Sequence, residues 1–425
     1  MNELSIVTIT GLIVLFALVS GRLQHSPLTP PMVFTVFGLL LSPVLFNLIK
    51  TLPDNAFIHT LAEITLILVL FTDAARIDLG QLIREHNIPI RLLSIGMPLT
   101  ILIGTVIAAS LFTEFNLWEC AILATILAPT DAALGQAVVS SSKVPVRIRQ
   151  ALNVESGLND GIALPVILIF ISLSSVTTHT ESTSYWLLFT TKQIVLGPLM
   201  GIFIGYSSAK LLQLSIKHQW TTDTFRDLSI LAVSFLSYFA AELIGGNGFI
   251  AAFVAGLTLG NTVKNLCTCL YDFAEAEGQL LNLMVFLFFG LTMVPVVLDG
   301  ISFTVVIYSV LSLTVIRMLP VFISLLGSKL RWETTIFIGW FGPRGLASIL
   351  FALLVIEHSD LIHRQEILTV VLSTVLMSIF LHGASANIGT VLYQKILRVC
   401  ISRGDSIEAE QGKVSEMPVR LPIND

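Results

Sequence analysis

Charged residues are scarce in this sequence. Asp, Glu, Lys and Arg make up 12% of its 425 residues, and hydrophobic residues make up 54%, whereas soluble domains average about 25% charged residues. This composition excludes an ordinary soluble protein and indicates a chain embedded in a lipid bilayer. Because a helix needs about 20 apolar residues to cross a bilayer, the chain has room for about a dozen spans with short connections.

Several recognition signals are also missing. No run of Lys and Arg forms a basic patch, and the formal net charge is −5, so nucleic acid is not expected as a partner. The phosphate-binding pattern GxxxxGK[ST] is absent, which argues against a pump driven by ATP. The four cysteines are not spaced like zinc ligands, so we expect reduced thiols and no cofactor.

Apolar segments separated by Pro, Gly and clusters of charge predict thirteen transmembrane helices. They cover residues 5–20, 31–49, 57–75, 90–112, 117–139, 147–174, 184–211, 226–244, 247–262, 278–298, 301–324, 334–356 and 365–390. We therefore expect an all-α polytopic membrane protein. Residues 1–395 are predicted to form the membrane domain, and residues 396–425 a short polar cytoplasmic tail.

Basic residues are distributed unevenly over the predicted loops. The outer loops contain only Lys50, Lys192 and Arg364, whereas the inner loops and the C-terminal tail contain the other loop Lys and Arg residues. Because cytoplasmic loops of membrane proteins are enriched in Lys and Arg, the N-terminus is predicted outside and the C-terminus in the cytoplasm. Arg317 and Arg344 fall inside predicted helices and need another explanation.

Two predicted helices contain Pro, a charge and small residues in mid-span. The fifth has "ATILAPTDAALG", with Asp131, and the twelfth has "IGWFGPRGLAS", with Arg344. Pro removes a backbone hydrogen bond, and paired interruptions in the two halves of a chain indicate inverted repeats with two discontinuous helices, as in secondary transporters. The freed helix ends have partial charges that side chains of opposite sign can offset.

The sixth predicted helix has polar residues at membrane depth. Ionisable groups there are unfavourable by about 2.5–3.5 kcal/mol and usually mark a functional site. The residues are Glu155, Ser156, Asn159 and Asp160, which fall within an arc of about 140° and so share one helix face. Opposite the break at Thr130, this face offers the oxygen ligands that a monovalent cation needs. The Asp160 carboxyl could bind either a proton or a cation, but not both.

Polar residues in a helix bundle can also serve packing alone, through hydrogen bonds worth about 0.6 kcal/mol on average. This alternative remains open for Ser156 and Thr130. It also remains open for Glu155, which could pair with Arg317 or Arg344 and only hold helices together. The polar face therefore predicts a site without deciding which of its members contact an ion.

Two other classes of protein remain as alternatives. An intramembrane aspartyl protease would use Asp160, in "GLND", together with Asp131 as a second acid, but no Tyr precedes Asp131 as the partner motif of that chemistry requires. A scaffold or sensor without transport would not need a polar face opposite broken helices, although an inactive relative of a transporter would have the same sequence features.

Five short segments occur in order in the fifth, sixth, tenth, eleventh and twelfth predicted helices. They are "APTDAA", "NVESGLNDGIALP", "FLFFGLTM", "VIRMLPV" and "GPRGLAS". Together they resemble the monovalent cation/proton antiporter family, in particular sodium/proton exchangers of the NhaP and eukaryotic exchanger type. The resemblance covers almost the whole membrane domain. It implies an NhaA-like antiporter fold, not an enzyme, in which a core domain moves against a dimerisation domain of a homodimer surrounded by membrane lipid.

The resemblance also implies roles for individual residues. Asp160 would bind Na⁺ or Li⁺ and H⁺ alternately, with K⁺ as an alternative cation. Asn159 would place the chain in the Asn-Asp subgroup, for which electroneutral exchange of one cation for one proton is expected. Arg317 and Arg344 would brace the core and the interrupted helix. The residues implied to shape the site are Glu155, Ser156, Thr130 and Asp131, and the implied Na⁺ ligands are Asp160, Glu155, Ser156 and Thr130.

The sequence ends without the long cytoplasmic regulatory tail of the family's eukaryotic branch. We therefore expect a bacterial or archaeal plasma membrane as its location.

Overall fold

The computed structural model describes residues 3–23, 26–49, 53–77, 79–80, 87–174, 183–263, 269–358 and 361–402. Within these ranges the regular secondary structure is entirely helical, and no β-strand occurs. Each of the thirteen predicted segments corresponds to a helix or to a pair of helical pieces. The prediction of an all-α membrane protein is therefore confirmed.

The helices follow one another in the predicted order. They are α1 (Glu3–Leu23), α2 (Pro30–Leu41), α3 (Asn55–Ala75), α4 (Asn87–Leu111), α5a (Leu117–Ile126), α5b (Gln136–Val139), α6 (Val146–Ser174), α7 (Thr183–Lys217), α8 (Asp223–Leu243), α9 (Gly248–Thr262), α10 (Cys269–Phe288, continued by Val294–Gly300), α11a (Phe303–Leu313), α11b (Val315–Ser324), α12a (Trp332–Trp340), α12b (Leu346–His358) and α13 (Arg364–Ser402). Single π-helical turns lie within α4 and α10, at Leu92–Gly96 and Phe289–Met293.

Eight helical spans in the described part of the chain are long and apolar enough to cross a bilayer, one of them being α11a and α11b counted together. The number is lower than thirteen because four other apolar helices, α2, α5a, α9 and α12b, are short, and because α8 has charged residues in its first turns. Two of these short helices are pieces of interrupted spans. A count based on helix length and hydropathy alone therefore understates the number of crossings in this fold.

The interruptions in α5 and α12 fall where the sequence predicts them. Pro129 and Pro343 lie in the non-helical segments 127–135 and 341–345, where the missing proline N–H removes one hydrogen bond that a continuous helix would make. A third interruption, in α11, was not predicted. It lies at Thr314, where φ is −114° and ψ is −91°. The Thr314 hydroxyl donates a hydrogen bond to the Val310 carbonyl at 2.6 Å, a type of contact that bends helices.

The interrupted helices belong to two similar units. In each unit the helix interrupted at a proline is the middle one of three: α4, α5 and α6 form the first unit, and α11, α12 and α13 form the second. Helix α5a packs against α4 and α6, and α12b packs against α13. The remaining helices form a neighbouring layer in which α9 packs between α3 and α7.

The last helix is longer than predicted. Helix α13 continues to Ser402, beyond the predicted start of the polar tail at residue 396. Residues 403–425, which make up the rest of that tail, lie outside the described residues.

Asn247 connects α9, in the neighbouring layer, to α6 of the first unit. Its side-chain oxygen accepts a hydrogen bond from the N–H of Ile250 at 3.0 Å and so caps α9. Its amide nitrogen donates to the Gly161 carbonyl of α6 at 3.2 Å. The residue is fully buried, so both contacts are protected from water.

We predict that Asn247→Ala lowers the stability of the protein by about 1–2 kcal/mol, because it removes a helix cap and one contact between helices. Unfolding in detergent, followed by circular dichroism, measures this. Thr222→Ala is the matched control, since Thr222 begins α8 without a capping hydrogen bond from its side chain. Equal losses of stability in the two variants would contradict the role of Asn247 as a helix cap and as a contact between helices.

Candidate functional site

The interrupted segments of α5 and α12 contact each other directly. The backbone N–H of Asp131 donates a hydrogen bond to the carbonyl of Pro343 at 2.8 Å. This bond joins the two breaks at a buried position between the two units. Backbone groups that a continuous helix would pair internally are here paired between the two breaks, as burial away from water requires.

Arg344 of the α12 break caps the broken end of α5a. One guanidinium nitrogen, Nη1, donates to the carbonyls of Ala128 at 2.6 Å and Pro129 at 2.8 Å. The side chain is completely buried. Its positive charge therefore lies at the C-terminal end of a helix, where the free carbonyls give a partial negative charge.

Asp131 of the α5 break caps the N-terminal end of α12b. Its Oδ2 accepts a hydrogen bond from the N–H of Leu346, the first residue of α12b, at 2.7 Å. Its Oδ1 accepts from the N–H groups of Ala133 at 2.8 Å and Leu134 at 3.1 Å. Gly345 makes this approach possible, because a Cβ at that position would lie 2.1 Å from Oδ2. The carboxyl thus meets the N-terminal, partially positive end of a helix.

Three polar side chains form a buried cluster beside the breaks. The hydroxyls of Thr130 and Ser156 are 2.9 Å apart, and the Asn159 amide nitrogen donates to the Thr130 hydroxyl at 3.0 Å. Asn159 and Asp160 are both almost fully buried. Among the described residues, the Oδ1 atoms of Asn159 and Asp160 have no hydrogen-bond partner. Two buried acceptor oxygens are therefore available to a cation, a proton donor or water.

Glu155 belongs to the same helix face but has a different partner. Its Oε2 accepts a hydrogen bond from Nη2 of Arg317 at 2.8 Å, and its Oε1 accepts from Nη1. Both side chains are about 3% exposed. Of the alternatives left open by the sequence, pairing with Arg317 of α11b is the one observed. This bidentate ion pair joins α6 of the first unit to α11b of the second.

The structure brings most of the residues that the sequence singled out into contact with one another. Arg344 and Asp131 bond across the two breaks, Ser156 and Asn159 contact Thr130, and Glu155 pairs with Arg317. Asp160 follows Asn159 on α6.

Two serines at the crossing were missed by sequence reasoning. The Ser348 hydroxyl donates to the Ile126 carbonyl at the end of α5a at 2.9 Å, and the Ser378 hydroxyl accepts from the backbone N–H of Arg344 at 2.7 Å. Ser348 ends the segment "GPRGLAS" but was not singled out within it, and Ser378 has no sequence signal, because hydroxyls are common in transmembrane helices. Both supply partners for backbone groups that the breaks leave unpaired.

The crossing of two broken helices beside buried carboxylates defines the class of secondary ion transporters. A family model described as "Sodium/hydrogen exchanger, transmembrane" matches residues 9–389. The chain belongs to this sodium/hydrogen exchanger family. The family predicted from five short motifs is therefore confirmed.

Relatives in this family resemble the chain over different lengths. The Na(+)/H(+) antiporter of Schizosaccharomyces pombe is 26% identical over 440 residues, which cover 94% of this chain and 92% of that protein. The K(+)/H(+) antiporter NhaP2 of Shewanella oneidensis is 26% identical over 306 residues, 69% of this chain and 50% of that protein. The solved structure of the sodium proton antiporter MjNhaP1 from Methanocaldococcus jannaschii matches 93% of this chain and 100% of its own, with a TM-score of 0.71 and 20% identity. This last likeness establishes the fold.

We predict that Glu155→Gln lowers the free energy of unfolding by about 3–5 kcal/mol, because Arg317 is left as a buried charge without its counter-charge. Adding Arg317→Met should recover much of the loss. Denaturant unfolding of both variants in detergent measures how much of the free energy of unfolding depends on the pairing of Glu155 with Arg317.

The matched control is Glu333→Gln. Glu333 pairs with Arg331 at 3.1 Å, but Arg331 is 30% exposed, so the loss should be only about 0–1 kcal/mol. Similar losses at the two sites, or no recovery in the double variant, would contradict the structural role of the Glu155–Arg317 pair.

Proposed function

We propose that this chain is a secondary antiporter that exchanges Na⁺ or Li⁺ for H⁺, one for one, with Asp160 as the group that binds either ion. The observation that carries the proposal is the buried Asp160 carboxyl, whose Oδ1 has no hydrogen-bond partner within the described ranges. The neighbouring oxygen atoms of Asn159, Thr130 and Ser156 are the ligand type that hard monovalent cations prefer.

The charges around the site support exchange of one proton per cation. Glu155 is neutralised by Arg317, Asp131 receives three backbone N–H groups, and Arg344 binds the carbonyls at the end of α5a. Each of these three charged side chains is therefore stabilised by an opposite charge or by backbone dipoles. Asp160 is the remaining carboxyl and requires a proton or a cation when buried, because an isolated charge in a bilayer is strongly unfavourable.

The pairing of Glu155 also narrows the proposed ligand set. Both of its carboxylate oxygens accept hydrogen bonds from Arg317, so we assign Glu155 to positioning α6. The first candidates for Na⁺ ligands are then Asp160, Asn159, Ser156 and Thr130.

Exchange further requires that the site opens to the two sides of the membrane in turn. We propose that α4–α6 and α11–α13 move together as a core against the layer that contains α3, α7 and α9. The bond between Asp131 and Pro343 and the Glu155–Arg317 pair both join the two units, which supports movement as one body. We further propose that the protein lies in the plasma membrane as a homodimer, as the family resemblance implies. The loop charges support an N-terminus on the outer side.

A K⁺/H⁺ antiporter with the same mechanism is the second candidate, because several relatives are named for that activity. The aspartyl protease interpretation is disfavoured. Both oxygens of Asp131 accept backbone hydrogen bonds, so this carboxyl is not free to share a proton with Asp160 across a water molecule.

We predict that Asp160→Asn abolishes exchange while the protein still folds, because the amide neither binds a proton at neutral pH nor offers a charge to the cation. Proteoliposomes that contain a pH dye, with Na⁺, Li⁺ and K⁺ added in turn to a preset acid interior, measure the loss of the gradient. Asp299→Asn, an exposed carboxyl at the end of α10, is the matched control and should exchange normally.

A wild-type rate in Asp160→Asn would refute the assignment of this residue. A response to K⁺ alone would favour the second candidate, and no response of the wild type to any cation would indicate a role without transport.

We predict that wild-type exchange is insensitive to membrane potential, whereas Asn159→Asp makes it sensitive. The substitution replaces a neutral amide by a second titratable carboxyl, so that more than one proton can leave when one cation binds. The same proteoliposomes, with a potential imposed by a K⁺ gradient and valinomycin, measure both rates. A wild-type rate that changes with the potential would contradict exchange without net charge transfer.

A further inference from the structure

Helix α1 is packed against the protein at only one of its ends. Residues along one stripe of the helix change from buried to exposed: Ser5, Ile9 and Leu12 are 1%, 5% and 6% exposed, whereas Val19 is 44% exposed. Because these positions recur on the same face of an α-helix, the change means that α1 diverges from its neighbours towards its C-terminal end. The divergence leaves a wedge-shaped gap.

This gap is an apolar groove between α1, α2 and α13. Its volume is about 450 Å³, and every residue that lines it is apolar. Leu15, Phe16 and Val19 line it from α1, Phe37 from α2 and Phe380 from α13. Water is a poor occupant of such a groove, because a buried water molecule needs two or more polar partners.

The groove lies along membrane-spanning helices, and its rim is exposed. Leu15 and Phe37 are 64% and 38% exposed, so an occupant can enter from the side. At membrane depth the surrounding medium is lipid, and a flexible acyl chain is an apolar group that can adapt to a groove of this kind.

An exposed basic residue follows the groove-lining residues of α1 at its C-terminal end. Arg22 is in the last turn of α1, beside Leu23, which lines the groove. It lies two turns after Leu15 and therefore on the same side of the helix. Its side chain is exposed, and no hydrogen bond or ion pair joins it to another described residue. A guanidinium in this position is suited to a phosphate group.

We propose that this groove is a binding site for one anionic phospholipid, with an acyl chain between α1, α2 and α13 and the phosphate at Arg22. The lipid would lie between the layer, through α1 and α2, and the second unit, through α13. Gly383 of α13 approaches α2 so closely nearby that a Cβ there would lie 2.7 Å from the Met32 sulfur. The acyl chain therefore fills space next to the tight contact between these two helices. The proposal does not depend on the identity of the transported ion.

Native mass spectrometry of the full chain in detergent tests the site, with palmitoyl-oleoyl phosphatidylglycerol and the zwitterionic phosphatidylcholine of the same chains as probes. The wild type should retain one phosphatidylglycerol per protomer in preference to phosphatidylcholine. Val19→Trp fills the groove and should raise the dissociation constant for phosphatidylglycerol about tenfold. Arg22→Gln leaves the packing unchanged and should abolish the preference between the two lipids.

Val14→Trp is the matched control, because Val14 lies on α1, is 59% exposed and does not line the groove. It should bind phosphatidylglycerol like the wild type. Wild-type binding by Val19→Trp, an equal loss in Val14→Trp, or an unchanged lipid preference in Arg22→Gln would each overturn the proposal. So would a change in the number of protomers in Val19→Trp without a change in lipid retention, because the groove would then be a contact between copies of the chain.

Discussion

The fold depends on how two broken helices satisfy their free backbone groups inside a membrane. A helix that ends in mid-bilayer exposes carbonyls or N–H groups where no water can pair with them, and each unpaired group is strongly unfavourable. Here Arg344, which belongs to the α12 break, pairs with the carbonyls at the end of α5a. Asp131, which belongs to the α5 break, pairs with the first N–H of α12b. Each break is therefore stabilised by a side chain from the other.

The reciprocal capping of the two breaks by Arg344 and Asp131 also determines the electrostatics of the site. Once Asp131 and Arg344 are compensated by helix ends, and Glu155 by Arg317, the buried cluster has one carboxyl left. Asp160 lies next to a hydroxyl and amide cluster that is already internally hydrogen-bonded. The cluster is therefore ordered by its own hydrogen bonds, independently of the Asp160 carboxyl. The same contacts that hold the two units together leave the buried Asp160 Oδ1 without a hydrogen-bond partner among the described residues, which is why we propose this carboxyl as the ion-binding group.

The limits of prediction from the sequence have physical causes. Thirteen helical segments were predictable because apolar length and proline positions are local properties. The break of α11 at Thr314 was not, since a threonine hydroxyl bonds to the preceding turn in many unbroken helices. The face that contains Asn159 and Asp160 was predictable from helical periodicity, whereas Ser348 and Ser378 were not, because their partners lie on other helices. The apolar groove beside α1 has no sequence signal, since its lining resembles any lipid-facing surface.

The sequence by itself determined the membrane class, the helix order, the two breaks and the identity of the charged groups within them, because composition and spacing fix these features locally. Only the tertiary structure decided which charge compensates which helix end. The sequence permitted Arg344 to stabilise its own break and Glu155 to pair with either arginine. The choice depends on the crossing of α5 and α12, which brings residues more than two hundred positions apart into hydrogen-bond distance. Long-range pairing of this kind is a property of packing, not of any segment alone.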